Sequence, residues 1–415
     1  MNRRLKSITH FIAATLAKVI SAVIVIKFLA WQLGPGGFGL ISQLMALTAI
    51  ASMLAGGGVT NGVIKTLSVT PSHTPEGRAW LSNALFITSL FSVVIACVLL
   101  VGAPFLAARL LEGKFVAALV CLAIAQCLAG VGSLILAEAS SRGDSSTYAL
   151  INSGAALLGA AAIALGTFLN AVNGAAYAIA IAPAFTGMLG LVLLIRKESP
   201  LSLTVPRYDR AKVRSLMSLS SLTLTGALSV PIAQILIRDS MGDTFSWESV
   251  GYWQGAVKIS DVYMQFVGVI LINYALPRFS NADLVHALAE FRSTLLLLFA
   301  LLISGFAFLL IVQDFVINLV FSSAFLPMGQ YFLPQMGGDL FRTFAAASSF
   351  FLLARGQIKI PLAFELFQGV FIFGLYRFLE QTAGKMGPAY AHFITYLLLA
   401  GLMGYAVRRY CNSHR

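Results

Sequence analysis

Six basic side chains, Lys18, Lys27, Lys65, Arg238, Lys258 and Arg342, fall inside apolar segments of this 415-residue chain instead of in the connections between them. A cation at the centre of a bilayer costs roughly 2.5–3.5 kcal/mol even on the lenient insertion scale, so it must face a partner, a wet cavity or the nearest interface. Six such bases together point to the carriage of an anion. Three acids sharpen the pattern: Lys258 and Asp261 are spaced i,i+3, as are Asp339 and Arg342, so each pair can share a helix face and partly neutralise itself. One reading is two structural ion pairs; the other is a wet cavity in which the acids respond to a proton or cation while the bases hold an anion. Glu365 has no adjacent base and is a third candidate site for a proton or sodium ion. No catalytic residue and no metal ligand set is expected: HExxH and GxxxxGK[ST] motifs are missing, and only His392 of the five histidines falls within an apolar segment.

The elements that must position these residues are membrane helices. The chain is 58% hydrophobic and 11% charged, with a mean hydropathy of +0.86. Such a composition cannot be hidden in a soluble core, and it leaves almost nothing for a domain outside the bilayer. The net charge of +12 could suggest nucleic acid, but the bases cluster at helix ends and offer no soluble basic face. Apolar stretches separated by turn signals predict twelve spans, near 8–33, 38–68, 78–101, 114–140, 145–170, 173–196, 213–241, 246–275, 289–311, 328–354, 359–380 and 386–408. The start Met1-Asn-Arg-Arg-Leu-Lys6 has the positive flank of a signal peptide, yet the segment after it is long and carries Lys18 and Lys27, so it reads as an uncleaved first span. With both termini assigned to the cytoplasm, only Arg109, Lys114, Arg377 and Lys385 fall on the far side, the asymmetry expected of cytoplasmic loops.

The longest polar connection, Arg196 to Lys212, holds Pro200 and Pro206 and divides the spans six and six. The expected organisation is an N-terminal lobe over 1–198, a cytoplasmic linker over 199–212 and a C-terminal lobe over 213–415. Asn173-Gly-Ala-Ala-Tyr177-Ala matches Met386-Gly-Pro-Ala-Tyr390-Ala, and Arg142-Gly143 matches Arg355-Gly356, both at an offset of 213; Gly37-Phe38 pairs with Gly251-Tyr252 at nearly the same offset. An even number of spans per repeat gives both copies one orientation, related by an axis along the membrane normal, as in secondary transporters with a site between lobes near mid-bilayer. Gly56-Gly57-Gly58 and Pro231 are bending points for such a cycle, or glycines that permit close packing.

Depth separates the bases. Lys18 lies roughly 15 Å into its span, and Lys258 and Arg342 lie near the middles of theirs, where snorkelling is difficult. Lys27, Arg238 and Lys65 lie nearer helix ends, where snorkelling competes with ligand binding. Lys18 and Lys27 are about half a turn out of phase, so a bend or separate roles are required. Glu138 is close enough to the cytoplasm to be solvated. Trp31, Trp80, Trp247 and Trp253 fit interfacial belts, with sugar stacking the alternative for Trp253. Cys97, Cys121, Cys127 and Cys411 show no CxxC spacing and read as packing residues.

Leu33-Gly-Pro-Gly-Gly-Phe-Gly39, Leu54-Ala-Gly-Gly-Gly-Val-Thr-Asn-Gly-Val-Ile-Lys65, Trp247-Glu-Ser-Val-Gly-Tyr-Trp-Gln254, Ile259-Ser-Asp261 and Tyr263-Met-Gln-Phe266 resemble Wzx-type flippases, with further matches at Gly338-Asp339 and Phe364-Glu365. The likeness is to the enterobacterial common antigen branch, which handles lipid III. It implies an all-α, V-shaped exporter fold of the multidrug/oligosaccharidyl-lipid/polysaccharide superfamily, twelve helices in two lobes. It also implies an undecaprenyl-diphosphate-linked oligosaccharide as cargo, moved by alternating access from the cytoplasmic to the periplasmic leaflet of the bacterial inner membrane. Related flippases line their cavity with cations from the first, second and eighth helices, positions that Lys18, Lys27, Lys65 and Lys258 could fill. The polymerase and chain-length regulator of the same pathway are implied partners, and no cofactor beyond a coupling proton or sodium ion is. The expectation is therefore a flippase and no enzyme: Lys18 and Lys258, supported by Arg342, Lys27, Lys65 and Arg238, receive the diphosphate, and Asp261, Asp339 and Glu365 couple an ion gradient. A cation-coupled multidrug antiporter of the same fold would carry an acidic, weakly basic cavity. A membrane glycan polymerase or acyltransferase would show a large external loop or a clustered His/Arg set, and lipid II flippases carry two additional helices.

Overall fold

A computed structural model describes residues 3–196, 204–281 and 283–414, without the side chains of 3–15, 219–223, 225 and 281. Lys197, Arg415, residues 199–203 of the expected linker and the side chains of Arg3, Arg4 and Lys6 lie outside that description. The described chain is helical from end to end, with no strand: α1 (Arg3–Ala55), α2 (Thr60–Val69), α3 (Pro75–Leu110), α4 (Val116–Ser141), α5 (Ser145–Arg196), α6 (Arg210–Thr244), α7 (Trp247–Ile270), α8 (Leu276–Asn281), α9 (Leu284–Ile311), α10 (Gln313–Val320), α11 (Phe332–Ala354), α12 (Lys359–Ala383) and α13 (Gly387–Ser413). Among the described residues, seven stretches are long and apolar enough to cross a membrane. Three of them, of 54, 52 and 55 residues, exceed any single crossing of about 30 Å and are broken inside.

The breaks are built by residues in rare backbone conformations. In α1 the helix is interrupted at Gly34, with φ 62° and ψ −178°, directly before Pro35. In α5 the break falls at Asn170 and Ala171. Beyond it the two halves run back along each other, since Gly166 meets Gly174, Gly159 meets Ala182 and Gly154 meets Leu189. A Cβ on Gly174 would lie 1.8 Å from the Gly166 carbonyl oxygen, so only glycine allows this approach. The third break separates α12 from α13 at Gly384.

Ala171 (φ 38°, ψ −122°) and Gly384 (φ 56°, ψ −138°) have nearly the same conformation and stand 213 residues apart. Arg142 and Arg355 close α4 and α11 in similar conformations, and each is followed by a glycine with positive φ, Gly143 at 68° and Gly356 at 76°. The internal repeat read from short sequence matches is thus written in the backbone as well.

The chain divides into two compact units: Met1–Leu33 with Leu40–Thr225, and Gly34–Gly39 with Gly226–Arg415. In the first, α4 packs on α3 and on α5. Its core near one end joins Leu67, Leu81, Ile87, Leu134, Ile135, Ile151 and Leu194 with Leu216 from the start of α6. In the second, α11 and α12 pack on α13. Gly34–Gly39 joins this unit by backbone contact: a Cβ on Gly39 would lie 2.3 Å from the Trp247 carbonyl oxygen, and one on Gly251 2.0 Å from that of Pro35. Phe38 then meets Phe321 and Phe325 edge-on at 5.8 and 5.6 Å. The break near 312–327, expected to be a plain external loop, folds instead into α10 and a 3₁₀ turn over Ser323–Tyr331, because Ile317, Phe321, Phe325, Met328 and Tyr331 are all fully buried.

Two further expectations need correction. Gly56-Gly57-Gly58 does not lie inside a helix; Gly57 and Gly58 take φ of 61° and 63° and form the turn that separates α1 from α2. Glu138 is not solvated but 1% exposed, and it meets Arg142 at 3.4 Å.

Ala171 occupies backbone space that an L side chain fills only at a cost of order 1–3 kcal/mol. Ala171→Gly should therefore raise the thermal midpoint of the detergent-purified protein, by about 1 kcal/mol in stability, and Gly384→Ala should lower it by at least as much. Equal melting curves for the two variants would refute the equivalence of the breaks.

Candidate functional site

The described polar chemistry concentrates in the second unit, around a cavity of about 350 Å³. Asp261 of α7, Arg342 of α11 and Glu365 of α12 stand on its wall, together with Ser260, Gln335, Gln368, His392 and Tyr396. Asp339 lies directly behind that wall with no exposed surface.

Asp339 is held by three helices. Ser260 Oγ and Tyr263 OH of α7 each donate to its Oδ2 at 2.5 Å, and His392 of α13 reaches Oδ1 at 3.0 Å. Arg342, one turn further along α11, stands 3.9 Å from the same Oδ1. The i,i+3 pair expected from the sequence is therefore the looser contact, and the closer partners come from other helices. A buried carboxylate is tolerable only with donors of this kind around it. From His392 the network runs on to Gln335 at 3.2 Å. Across the cavity Tyr396 OH donates to Gln368 Oε1 at 2.9 Å, and Gln368 Nε2 donates to Glu365 Oε2 at 2.6 Å. The Arg342 guanidinium lies over the Tyr396 ring at 5.6 Å.

Lys258 and Asp261 meet as their spacing suggests, at 3.3 Å, with the lysine 28% and the aspartate 46% exposed. Lys258 thus touches the cavity through the acid beside it. Arg238 neither snorkels nor reaches the cavity surface: it is 2% exposed and donates to Gln254 Oε1 at 3.0 Å inside the unit. A second buried acid, Glu380, accepts from Ser240 at 2.6 Å, Thr244 at 3.0 Å and Tyr376 at 3.0 Å, and pairs with Arg377, tying α12 to the end of α6.

In the first unit Lys18 and Lys65 are exposed and Lys27 is half-buried. The helix is regular from Lys18 to Lys27, with its break only at Gly34, so the two lysines stand on opposite sides of one straight segment. No bend brings them together, which leaves separate roles.

Several contributors carry little signal in the sequence. His392 and Tyr396, at i,i+4, share a helix face and pack ring to ring at 4.7 Å, and that spacing is the signal in the sequence that links them. Ser260 and Tyr263 flank Asp261 at a spacing that places them on one side of α7. Trp253 belongs to no interfacial belt: it is 3% exposed and lines the cavity.

Removing the hub should be costly. Asp339→Ala should destabilise the protein by about 3–5 kcal/mol, because it strands buried donors on two neighbouring helices. With His392→Ala, the double variant should lose less than the sum of the singles by about 0.5–3 kcal/mol, as read from melting in detergent. Strict additivity would remove the Asp339–His392 bond from this account.

The sequence profile of the polysaccharide biosynthesis protein family matches residues 5–283. A protein of Escherichia coli (strain K12) named lipid III flippase is 28% identical over 396 residues, covering 94% of each chain, and one of the same name from Shigella flexneri matches equally. Among solved structures, an inward-facing multidrug resistance MATE family transporter of the MOP superfamily aligns with a TM-score of 0.78 at 14% identity, covering 98% of each chain. The lipid II flippase MurJ in an inward closed conformation aligns at 0.74 and 14% identity, over 97% of this chain and 87% of its own. Likeness at this identity shows the fold: an all-α membrane fold shared with transporters of that superfamily.

Proposed function

The chain belongs to the polysaccharide biosynthesis protein family, and from that membership we propose that it is a flippase for an undecaprenyl-diphosphate-linked oligosaccharide, moving it from the cytoplasmic to the periplasmic leaflet of the bacterial inner membrane. The reading is that of a transporter and not a catalyst. It has twelve crossings, each broken stretch crossing twice and α6 and α11 once, with both termini cytoplasmic. The relatives named lipid III flippase, similar over 94% of both chains, support the cargo class. The observation that carries the reading is that likeness along nearly the whole of both chains, and the cavity adds a polar wall on which Arg342 stands with Asp261 and Glu365.

A diphosphate leaving water needs cations to replace its hydration, while a polyprenyl tail is content in lipid. Lys18 is exposed on α1, Lys258 keeps 28% of its side chain exposed and Arg342 32%, so each has surface open to an anion. Lys65 and the half-buried Lys27 are secondary candidates. Arg238, bonded within its unit, holds helices in place and is withdrawn from the ligand set. Asp261, Glu365 and the Asp339–His392 pair are the groups through which a proton or sodium gradient would act: a change of charge at Asp339 or His392 alters the bonds that join α7, α11 and α13, Asp261 answers to Lys258 on its own helix, and Glu365 reaches Tyr396 of α13 through Gln368. The pathway's polymerase and chain-length regulator are the partners this role calls for.

Neutralising Lys18 or Lys258 with glutamine should abolish complementation of a flippase-deficient strain at unchanged protein level; full activity in both variants would sink the cationic site. For coupling, translocation by the wild type in everted vesicles should fall severalfold when the ion gradient is collapsed, and Glu365→Gln should no longer respond to the gradient. A wild type indifferent to every gradient would end the coupling proposal and leave the flippase reading standing.

A further inference from the structure

The end of the connection that leads into α6 is fastened to the first unit. Ser82 Oγ of α3 donates to the Val205 carbonyl at 2.5 Å, the Arg207 N–H donates to the Ser82 carbonyl at 3.3 Å, and the Asp209 N–H donates to Asn83 Oδ1 at 2.6 Å. Ser82 and Asn83 are both buried, so these bonds are shielded from competition by water. Tyr208 adds an edge-on contact with Phe86 at 5.4 Å. Between the strap and the first turns of α3 lies a cleft of about 400 Å³, bounded by Pro75, Arg78 and Asn83 on one side and Thr204, Arg207 and Tyr208 on the other.

Its charge is unbalanced. Arg78 and Arg207 both line the cleft, both are exposed, and neither guanidinium has a hydrogen-bond or ion-pair partner among the described residues. Arg210 and Arg214, on the first turns of α6, are exposed and unpaired in the same way. The acid on the cleft wall, Asp209, is already engaged. The N–H groups of Lys212 and Ala211 hold its carboxyl below the usual carboxylate range, and Lys212 Nζ stands 3.4 Å away. Lys212 itself lies over the Trp80 ring at 5.4 Å.

A guanidinium offers five N–H donors in a planar fork that matches phosphate oxygens, and two unpaired forks on one cleft describe a receptor for a phosphate group. Val205 and Tyr208 stand 68% and 62% exposed beside them, an apolar margin of the kind found where headgroups meet hydrocarbon. We propose that the cleft between the start of α3 and the strap Thr204–Asp209 binds the phosphate of a membrane lipid headgroup. The site does not depend on the translocation reading: either a resident anionic phospholipid or a polyprenyl diphosphate carries the required group.

The test uses the full-length protein in detergent at low salt, with phosphatidylglycerol, phosphatidylcholine and undecaprenyl diphosphate as separate probes, bound lipid being counted by native mass spectrometry. The R78Q/R207Q variant should bind at least one of the two anionic probes about thirty-fold more weakly than the wild type, with phosphatidylcholine unchanged. The R78K/R207K variant should recover much of the loss. Both side chains are exposed and unpaired, so an unchanged melting temperature is expected and serves as the folding control. Loss confined to phosphatidylglycerol identifies a resident lipid, and loss confined to undecaprenyl diphosphate identifies a loading site for a polyprenyl cargo. Wild-type binding of both anionic probes by R78Q/R207Q overturns the proposal.

Discussion

A carboxylate with no access to solvent, Asp339, sets the terms for the second unit. In a region of low polarity such a group can persist only if the fold surrounds it with donors, and the fold does so from α7 and α13 as well as from its own helix. This requirement fixes the rotation of three helices about their axes. Ser260 and Tyr263 must face α11 for their hydroxyls to reach Oδ2, and His392 must face it from α13. Once those faces are turned inward, their neighbours Asp261, Arg342, Tyr396 and Gln335 are turned toward the cavity. The polar wall is therefore a geometric consequence of satisfying one buried acid, and any change in its charge alters the bonds of three helices at once.

The two units share helix breaks and caps, and they differ in what is added to close helix packing. The first relies on small residues and direct backbone approach: a Cβ on Gly132 would lie 2.6 Å from the Gly187 nitrogen, and Gly187 presses equally on the Leu128 carbonyl. Where lipid competes with apolar packing, such close contact is the main source of helix association. The second unit uses the same close approach, as where a Cβ on Gly369 would lie 2.2 Å from the Ser229 carbonyl oxygen, and adds side-chain hydrogen bonds at Asp339 and Glu380.

Much of this was legible in the chain itself. Apolar length located the helices, and the matches around Arg142 and Arg355 marked two helix ends that do share one local structure. The i,i+3 spacings of Lys258 with Asp261 and of Asp339 with Arg342 correspond to contacts of 3.3 and 3.9 Å, and Arg342 and Glu365 stand on the cavity wall. What could not be read were contacts between residues far apart in sequence. His392 lies 53 positions from Asp339, and nothing local to either announces the bond. Depth along a helix says nothing about which side faces the interior, and Arg238, near a helix end in the sequence, is buried inside its unit. The inclusion of Gly34–Gly39 in the second unit was equally hidden, although Gly39 and Gly251 are both glycines for the same reason: each faces a carbonyl oxygen where a Cβ would not fit.

The central claim is that these charges serve to carry a lipid-linked diphosphate across a bilayer. It is tested most directly by reconstituting the purified protein in liposomes with an undecaprenyl-diphosphate-linked oligosaccharide and measuring how much glycan becomes accessible to an impermeant reagent on the opposite face. Protein-containing vesicles should expose the glycan far faster than empty ones, and Arg342→Gln should slow the transfer without unfolding the protein. Equal rates with and without the protein, under an imposed proton gradient and an imposed sodium gradient alike, would contradict it.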